Sequence, residues 1–567
     1  LRVAVRATRG LLGRIASTSH PRRLRPPPHV PGTSPIPASA PDPLAHPPLA
    51  TAAFPQHMGA LPAEKRANAV EDDPVAAPRA LALLCDEIST LRRLPEGLPR
   101  GVDSISDPTP APYVVREDDG QVSELAANPE GKALGPWHVH VRVRGDEGSG
   151  YDASNHLVRL TFAAAYPNVP PDVHVLSKCH HLLVDDDREV AGLFFHPENL
   201  PPASVERAAD PATGDEVVKS VTYTLEGILD ATRRFFSVPC RLPGPPDDDR
   251  VNNRRRHLLA EWRKTSDANR ERERVIASYE RGTGAAGRKF KSLFDPTRVD
   301  EWLHPAVLAA AREGSEGRLT PERARELCEE VAPGIFAFPL LNDAYCDALM
   351  DEVAHFQASG LPVARPNSMN NYGLILNKIG MERAMDELQA RVLSPVAEAL
   401  FPAQGGGCLY GHHSFIVQYS EGADLGLDMH TDDSDVTFNV CLGKEFSGAG
   451  LQFCGVLGGP SHRKRSLVYH HVKGRCVVHL GAHRHGADDL ESGERLNLII
   501  WNHSSLYRSS RAYRWRDVPP ETEPPDPQCL SYTHDVDYGR YKKYPEGKEG
   551  FAKSAWYPPE ADQVKMK

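Results

Sequence analysis

Between residues 414 and 501 the chain alternates short apolar stretches with glycine-bearing turns, a punctuation that favours a small antiparallel barrel or sandwich. Five strands are expected, over 414–419, 435–442, 450–454, 475–480 and 495–501. Strand side chains alternate with period two, so His430 and Asp432 in Asp428-Met429-His430-Thr431-Asp432 share one face. Histidines follow at 479, 483 and 485. His485, 53 residues after Asp432, completes a 2-His-1-carboxylate set, the face that holds non-haem Fe(II) and leaves coordination positions open. Ten residues later Arg495 opens the apolar run Leu496-Asn497-Leu498-Ile499-Ile500-Trp501. A fixed cation there is placed to clamp the distal carboxylate of a dicarboxylic cosubstrate.

At 567 residues the chain is long enough for more than one domain. A net charge of −10 with 25% charged residues gives no global bias toward nucleic acid or an anionic membrane. No apolar run approaches the roughly 20 residues of a membrane helix. The ten cysteines show no paired spacing, so neither a disulfide framework nor a CxxC zinc site is expected, which fits a reducing compartment. An intracellular, cytoplasmic location is the expectation. The first 41 residues hold seven arginines and no Asp or Glu, which keeps organellar targeting open as the alternative.

Residues 1–75 are expected to be a disordered Arg/Pro-rich leader. From about Ala80 to Arg93 the pattern is helical, and His138–Val143 and His156–Phe162 alternate like strands. Tyr166-Pro167-Asn168-Val169-Pro170-Pro171 then resembles the YPxxPP signature of the ubiquitin-conjugating-enzyme fold. Ser177-Lys178-Cys179-His180-His181 stands where that family carries its HPN tripeptide, and Tyr223–Leu229 resembles the start of its following helix. The resemblance implies an α+β domain over 76–240. Its thioester chemistry requires a cysteine, and Gly192-Leu193-Phe194-Phe195, where the nucleophile should fall, has none. The domain is therefore expected to be inactive, with contact to ubiquitin or a ubiquitin ligase as its work. Residues 241–330 read as a charged helical linker. Its mixed-sign charge is that of a solvated helix face and gives no reason to expect nucleic acid. Gly282-Thr283-Gly284-Ala285-Ala286-Gly287 matches GxGxxG but follows a charged helix instead of an apolar strand, so no dinucleotide site is expected.

Helices are expected around 344–356 and 382–400, in a support region 331–403. The core at 404–505 resembles the Fe(II)/2-oxoglutarate-dependent dioxygenases of the prolyl/lysyl hydroxylase branch. It is most similar to the 2-oxoglutarate and iron-dependent oxygenase domain-containing proteins. The strings 365–373, 432–446 and His485-Gly486-Ala487 carry the resemblance, which spans about 335–505. It implies a double-stranded β-helix (jelly roll), iron ligation by His430, Asp432 and His485, and 2-oxoglutarate binding by Arg495. His485 is preferred over His479 and His483 because it lies ten residues before the arginine and is followed by Gly-Ala, as in those relatives. Tyr419, eleven residues before His430, is placed to donate its hydroxyl to the cosubstrate. The remaining histidines, among them His412, His413, His462 and His471, are expected at the surface or around the ligands. The implied activity is hydroxylation of an unactivated C–H, of a peptidyl lysine or proline, with ascorbate sustaining the iron. A ubiquitin-pathway adaptor is the alternative. In the extension 506–567, His534, Asp535 and Asp537 suggest a second metal site, against which adjacent positions point apart in extended chain.

Overall fold

The computed structural model describes residues 76–550, apart from short segments, chiefly 117–121, 127–134, 178–192, 196–202, 210–215, 238–248 and most of 509–523. The expected leader 1–75, Cys179 with the HPN-like stretch, Cys240, His534 and Asp537 lie outside the described residues.

The N-terminal part starts with helix α1 (Ala76–Arg92). A six-stranded antiparallel sheet follows, its main path running β1 (Val102–Ile105), β2 (Trp137–Val143), β3 (His156–Phe162), β4 (Asp172–Val175) and β5 (Leu193–Phe195), with the short strand Thr109–Pro110 also paired to β2. Helix α2 (Leu225–Ser237) comes next. Alternation decides what is buried: Val139, Val141 and Val143 point to one face of β2 and join Leu84 and Ile88 of α1 and Leu229 of α2 in a single core. The Tyr166 hydroxyl donates to Glu87, whose other oxygen accepts from the backbone N–H of Leu225, so the turn at Tyr166, α1 and α2 are tied at one point.

Residues 249–281 form one long helix, α3 (Asp249–Arg281). The expected linker does not continue to 330. Val275 and Tyr279 near the helix end are buried, and Leu293, Val299, Trp302, Val307 and Ala324 lie in the same hydrophobic cluster as the helices beyond them. After Arg281 the long helix gives way to short 3₁₀ turns and helices, whose apolar residues are buried in that cluster.

The C-terminal part is two facing antiparallel sheets backed by helices. The larger runs β6 (Glu329–Ala332), β7 (Ile335–Pro339), β14 (Arg475–Leu480), β11 (Val436–Gly443), β16 (Leu490–His503), β9 (Tyr410–Ser420), β8 (Gly373–Ile375). The smaller runs β10 (Leu427–His430), β15 (His483–Ala487), β12 (Leu451–Val456), β13 (Leu467–Tyr469). From β9 to β16 the chain alternates between the sheets, except that β12 and β13 pair with each other within the smaller one, which is the double-stranded β-helix expected from the sequence. On β16, Leu496, Leu498 and Ile500 face the helical layer, while Arg495, Ile499 and Trp501 line a cavity between the sheets. Each fully buried Leu or Ile on the helical side is worth about 1.5–3 kcal/mol.

The supporting helices are α4 (Asp343–Ala358), capped by Asn342, whose side chain accepts from the backbone N–H of Tyr345, and a stack over 382–400. That stack is α5 (Glu382–Leu388), a π-helical turn (Gln389–Leu393) and α6 (Ser394–Leu400). It meets the N-terminal part through Arg142, which pairs with Asp386 at 2.8 Å and with Glu382 at 3.3 Å. Asp386 also pairs with the buried His412 ring at 3.3 Å, so this histidine is not at the surface.

Cys454 of β12 and Cys529 of the C-terminal extension form a disulfide across 75 residues. This corrects the expectation of unpaired cysteines: the two partners meet only because the extension folds back onto the smaller sheet, which spacing along the chain does not reveal. Cys85, Cys328, Cys346, Cys408, Cys441 and Cys476 are free. No described helix is long and apolar enough to cross a membrane.

Candidate active site

The register of the smaller sheet builds the site. His430 at the end of β10 stands directly opposite His485 of β15, and Asp432 follows where the chain turns toward β11. The Asp432 backbone N–H donates to the Gly481 carbonyl at 2.9 Å. A side chain at Gly481 has no room, because an ideal Cβ would lie 1.8 Å from the Ser434 carbonyl oxygen. The result is one Asp432 oxygen 3.4 Å from His430 Nε2 and 3.6 Å from His485 Nε2. Among the described residues this is the one set of three or more potential ligands whose donor atoms all lie within 4.8 Å of one another.

Each ligand is oriented from behind. His430 Nδ1 lies 2.8 Å from the Asp428 carbonyl, and His485 Nδ1 lies 2.9 Å from that of His483. These contacts put the ring protons on Nδ1 and leave both Nε2 lone pairs facing Asp432. The second Asp432 oxygen accepts from the Thr437 hydroxyl at 2.7 Å. Burial pushes His485 well below the ordinary imidazole value, which keeps it neutral. Burial works against charge on Asp432 too, but the neighbouring imidazoles hold its carboxyl below the usual range. Burial works against charge on His430, but its contact with the Asp432 carboxylate raises its proton affinity above the ordinary value, so a bound metal would displace that proton. Two imidazoles and an ionised carboxylate on one side of a cavity fit a six-coordinate ferrous ion with open positions.

The same cavity, about 450 Å³, reaches Arg495. Arg495 is 1% exposed, its guanidinium lies 4.4 Å over the Tyr419 ring, and it donates to the Ala449 carbonyl. Its Nε–H has no partner, and no carboxylate pairs with the guanidinium among the described residues. Burial accordingly lowers its proton affinity. A buried cation with spare donors and no counter-ion calls for an anionic ligand. Tyr419 sits across the strand pair from Arg495, and its hydroxyl accepts from Asn370 at 3.2 Å.

All five residues singled out from the sequence, His430, Asp432, His485, Arg495 and Tyr419, line this one cavity. His479 and His483 are buried but do not line it: His479 Nδ1 lies 2.9 Å from the Leu480 carbonyl, and the His483 ring meets Phe453 edge-on. His413 lines the cavity, in keeping with a placement around the ligands, while His462 is buried and His471 half-buried. Sequence reasoning missed Thr437 and Asn370. Thr437 carried a signal, since with Asn439 it is a polar residue on the inward face of an otherwise apolar strand. Of the three residues that suggested a second metal site only Asp535 is described, and it pairs with Arg484 and Arg463, each at 2.9 Å.

Residues 289–406 match the family model described as an OGFOD2-like domain. The chain is 36% identical over 252 residues to the 2-oxoglutarate and iron-dependent oxygenase domain-containing protein ICU11 of Arabidopsis thaliana, covering 43% of this chain and 60% of that protein. It is 42% identical over 177 residues to the human 2-oxoglutarate and iron-dependent oxygenase domain-containing protein 2, covering 31% of this chain and 51% of that one. Human procollagen-lysine,2-oxoglutarate 5-dioxygenase 1 is 26% identical over 144 residues, covering 24% of this chain and 20% of that one. Among solved structures, a Pseudomonas putida prolyl-4-hydroxylase aligns with 36% of this chain and 97% of its own at 18% identity, with a TM-score of 0.24. The family model and the curated relatives support the 2-oxoglutarate and iron-dependent oxygenase family for the C-terminal part. The curated relatives are oxygenases, hence oxidoreductases, and the chain spans only 51–60% of the length of the first three.

Proposed function

We propose that this chain is an Fe(II)- and 2-oxoglutarate-dependent dioxygenase that hydroxylates an unactivated C–H. The observation that carries the reading is the shared cavity: a 2-His-1-carboxylate cluster at one end and a buried cation without a carboxylate partner at the other. Iron bound by His430, Asp432 and His485 would supply coupled oxidation, one atom of O₂ leaving in succinate as the keto acid loses CO₂ and the other entering the substrate C–H.

The residues divide the remaining work. Arg495 binds the distal carboxylate of 2-oxoglutarate through its spare N–H donors. Tyr419, held by Asn370, offers its hydroxyl proton to the same carboxylate. Thr437 fixes the rotation of Asp432, and the carbonyls of Asp428 and His483 fix the two imidazoles. Phe415, Val417, Ile499 and Trp501 line the cavity with apolar surface that keeps bulk water from the reacting centre.

A peptidyl lysine or proline is the proposed target and ascorbate the proposed reductant, both supported by the resemblance to prolyl and lysyl hydroxylases. The N-terminal part is proposed to be a ubiquitin-conjugating-enzyme-like module without its nucleophile, supported by the Tyr166–Pro171 signature and the cysteine-free 192–195. Its proposed partner is ubiquitin or a ligase.

The test is succinate release from 2-oxoglutarate with Fe(II) and ascorbate, beside His430→Ala and Arg495→Ala. Loss of turnover in the first, and recovery only at much higher 2-oxoglutarate in the second, are expected. A wild-type protein that binds neither Fe(II) nor 2-oxoglutarate would refute the reading and leave the adaptor in its place.

A further inference from the structure

The C-terminal extension is fastened to both strands that carry the imidazole ligands. On the first, Asp428 is the hinge. Its carbonyl holds His430 Nδ1, while one of its carboxylate oxygens accepts from the Ser531 hydroxyl at 2.7 Å, the Thr533 hydroxyl at 2.8 Å and the Thr533 backbone N–H at 3.1 Å. On the second, Arg484, next to His485, donates to the Cys529 carbonyl at 2.7 Å and to Asp535 at 2.9 Å. Asp535 closes the segment on itself by accepting the Ser531 N–H at 2.6 Å. Cys529 is covalently joined to Cys454 on β12, one residue from Phe453, whose ring packs against His485. Cys454, Cys529 and Met429 form one small buried cluster, and Met429 is the neighbour of His430.

Cys529, Ser531, Thr533 and Asp535 thus reach Asp428, Arg484 and Cys454 on three strands of the smaller sheet. None of these four lines the cavity. We propose that this segment is a redox-controlled latch: with the 454–529 disulfide closed it holds His430 and His485 in register for metal, and opening the disulfide releases them. The proposal rests on the metal reading of the site. The physical argument is effective concentration. The contacts to Asp428 and Arg484 are few, those at Arg484 being buried, and the cross-link lets them form over a few residues of chain instead of over a 75-residue excursion. Opening the bond needs an external dithiol. Two electrons and two protons pass to the Sγ–Sγ bond, giving two protein thiols and the oxidised, cyclic disulfide of the reagent. Ser531, Thr533, Asp535 and Arg484 are positioning residues, since they act on the metal only through the ligand strands.

Co(II) is the probe, read by its d–d absorption, so activity is not needed. Full-length protein is titrated before and after dithiothreitol treatment and anaerobic desalting, with peptide mapping to confirm the 454–529 state and circular dichroism to confirm the fold. Outer-sphere changes at metal sites cost about 10–100-fold in affinity, and a loss of that size is expected on reduction. Cys454→Ser should bind like the reduced wild type and gain nothing further from dithiothreitol. Ser531→Ala/Thr533→Val, which leaves the disulfide intact, should weaken Co(II) and alter its spectrum, a change that a merely structural tail would not produce. Equal affinity and spectrum in oxidised wild type, reduced wild type and the double variant would overturn the latch while leaving the metal site standing. No Co(II) binding by the oxidised wild type would remove the metal reading, and the latch with it.

Discussion

Arg495→Met is expected to separate ligand binding from stability. Removing one member of a buried ion pair normally costs about 3–5 kcal/mol, because a charge is left stranded. Here no carboxylate among the described residues faces the guanidinium, and Arg495 is itself the stranded charge. Its removal forfeits the bond to the Ala449 carbonyl, about 1–3 kcal/mol, and the contact over the Tyr419 ring, about 0.5–2 kcal/mol. Against this stands relief from burying an unpaired cation, also several kcal/mol. The ligand-free variant should therefore unfold within about 2 kcal/mol of the wild type. The cosubstrate is another matter. Two charge-assisted hydrogen bonds at about 1.5–3 kcal/mol each amount to roughly a 10²–10⁴-fold loss of 2-oxoglutarate affinity. Urea unfolding of metal-free protein measures the first quantity, and calorimetric titration of 2-oxoglutarate into Mn(II)-loaded protein measures the second. At 100 Kd the ligand should add about 2.7 kcal/mol to wild-type stability and nothing at that concentration to the variant. A ligand-free variant destabilised by a full buried-pair penalty, or one that keeps its 2-oxoglutarate affinity, would refute the reasoning.

Thr437→Val removes the hydroxyl that orients Asp432 while keeping the strand's shape, and should weaken Co(II) about 10-fold or more with little change in urea midpoint. An unchanged titration would show that Asp432 is held without it. Asp386 gives a pH signature. Burial alone would raise its carboxyl, but the bonds to His412 and Arg142 outweigh this and hold it below the ordinary value of 3.8. A depressed folded-state value stabilises above the unfolded value and is lost as pH falls through the folded one. Asp386→Asn should therefore be less stable than wild type at neutral pH, and the gap in urea midpoints should close as pH falls below about 4. A gap that stays constant into acid would sink this account.

Much of the C-terminal part was legible in the sequence because period-two alternation there is strong and the turns are marked by glycine. The stretch expected over 475–480 is the strand observed, and the helices expected at 344–356 and 382–400 appear with boundaries shifted by a residue or two at most. The ligand cluster was legible for a similar reason: His430 at the end of one strand and His485 on its hydrogen-bonded neighbour need only correct register to meet, and Asp432 lies just two residues on, in the following turn. What failed was long-range. The stretch 282–324 lacks a continuous amphipathic helix, being short 3₁₀ turns and helices whose apolar residues matter only once α4 packs on them. The disulfide and the Asp428–Thr533 contacts join residues 75 and 105 positions apart, and no local pattern encodes such a meeting. Thr437 and Asn370 are ordinary polar residues until the inward face of their elements is known.

The two-sided burial of β16 bears on how a chain of this kind can vary. Arg495, Ile499 and Trp501 supply cavity wall, and the even-numbered positions from Leu496 to Ile500 supply the helical core. Losing one residue from this strand would turn leucines into the cavity and carry the cation to the helical side, so cosubstrate recognition and packing would fail together. Sequence drift along β16 is therefore confined to exchanges of side chain at constant length, while the insertions and deletions that lineages accumulate must collect in the turns at its ends.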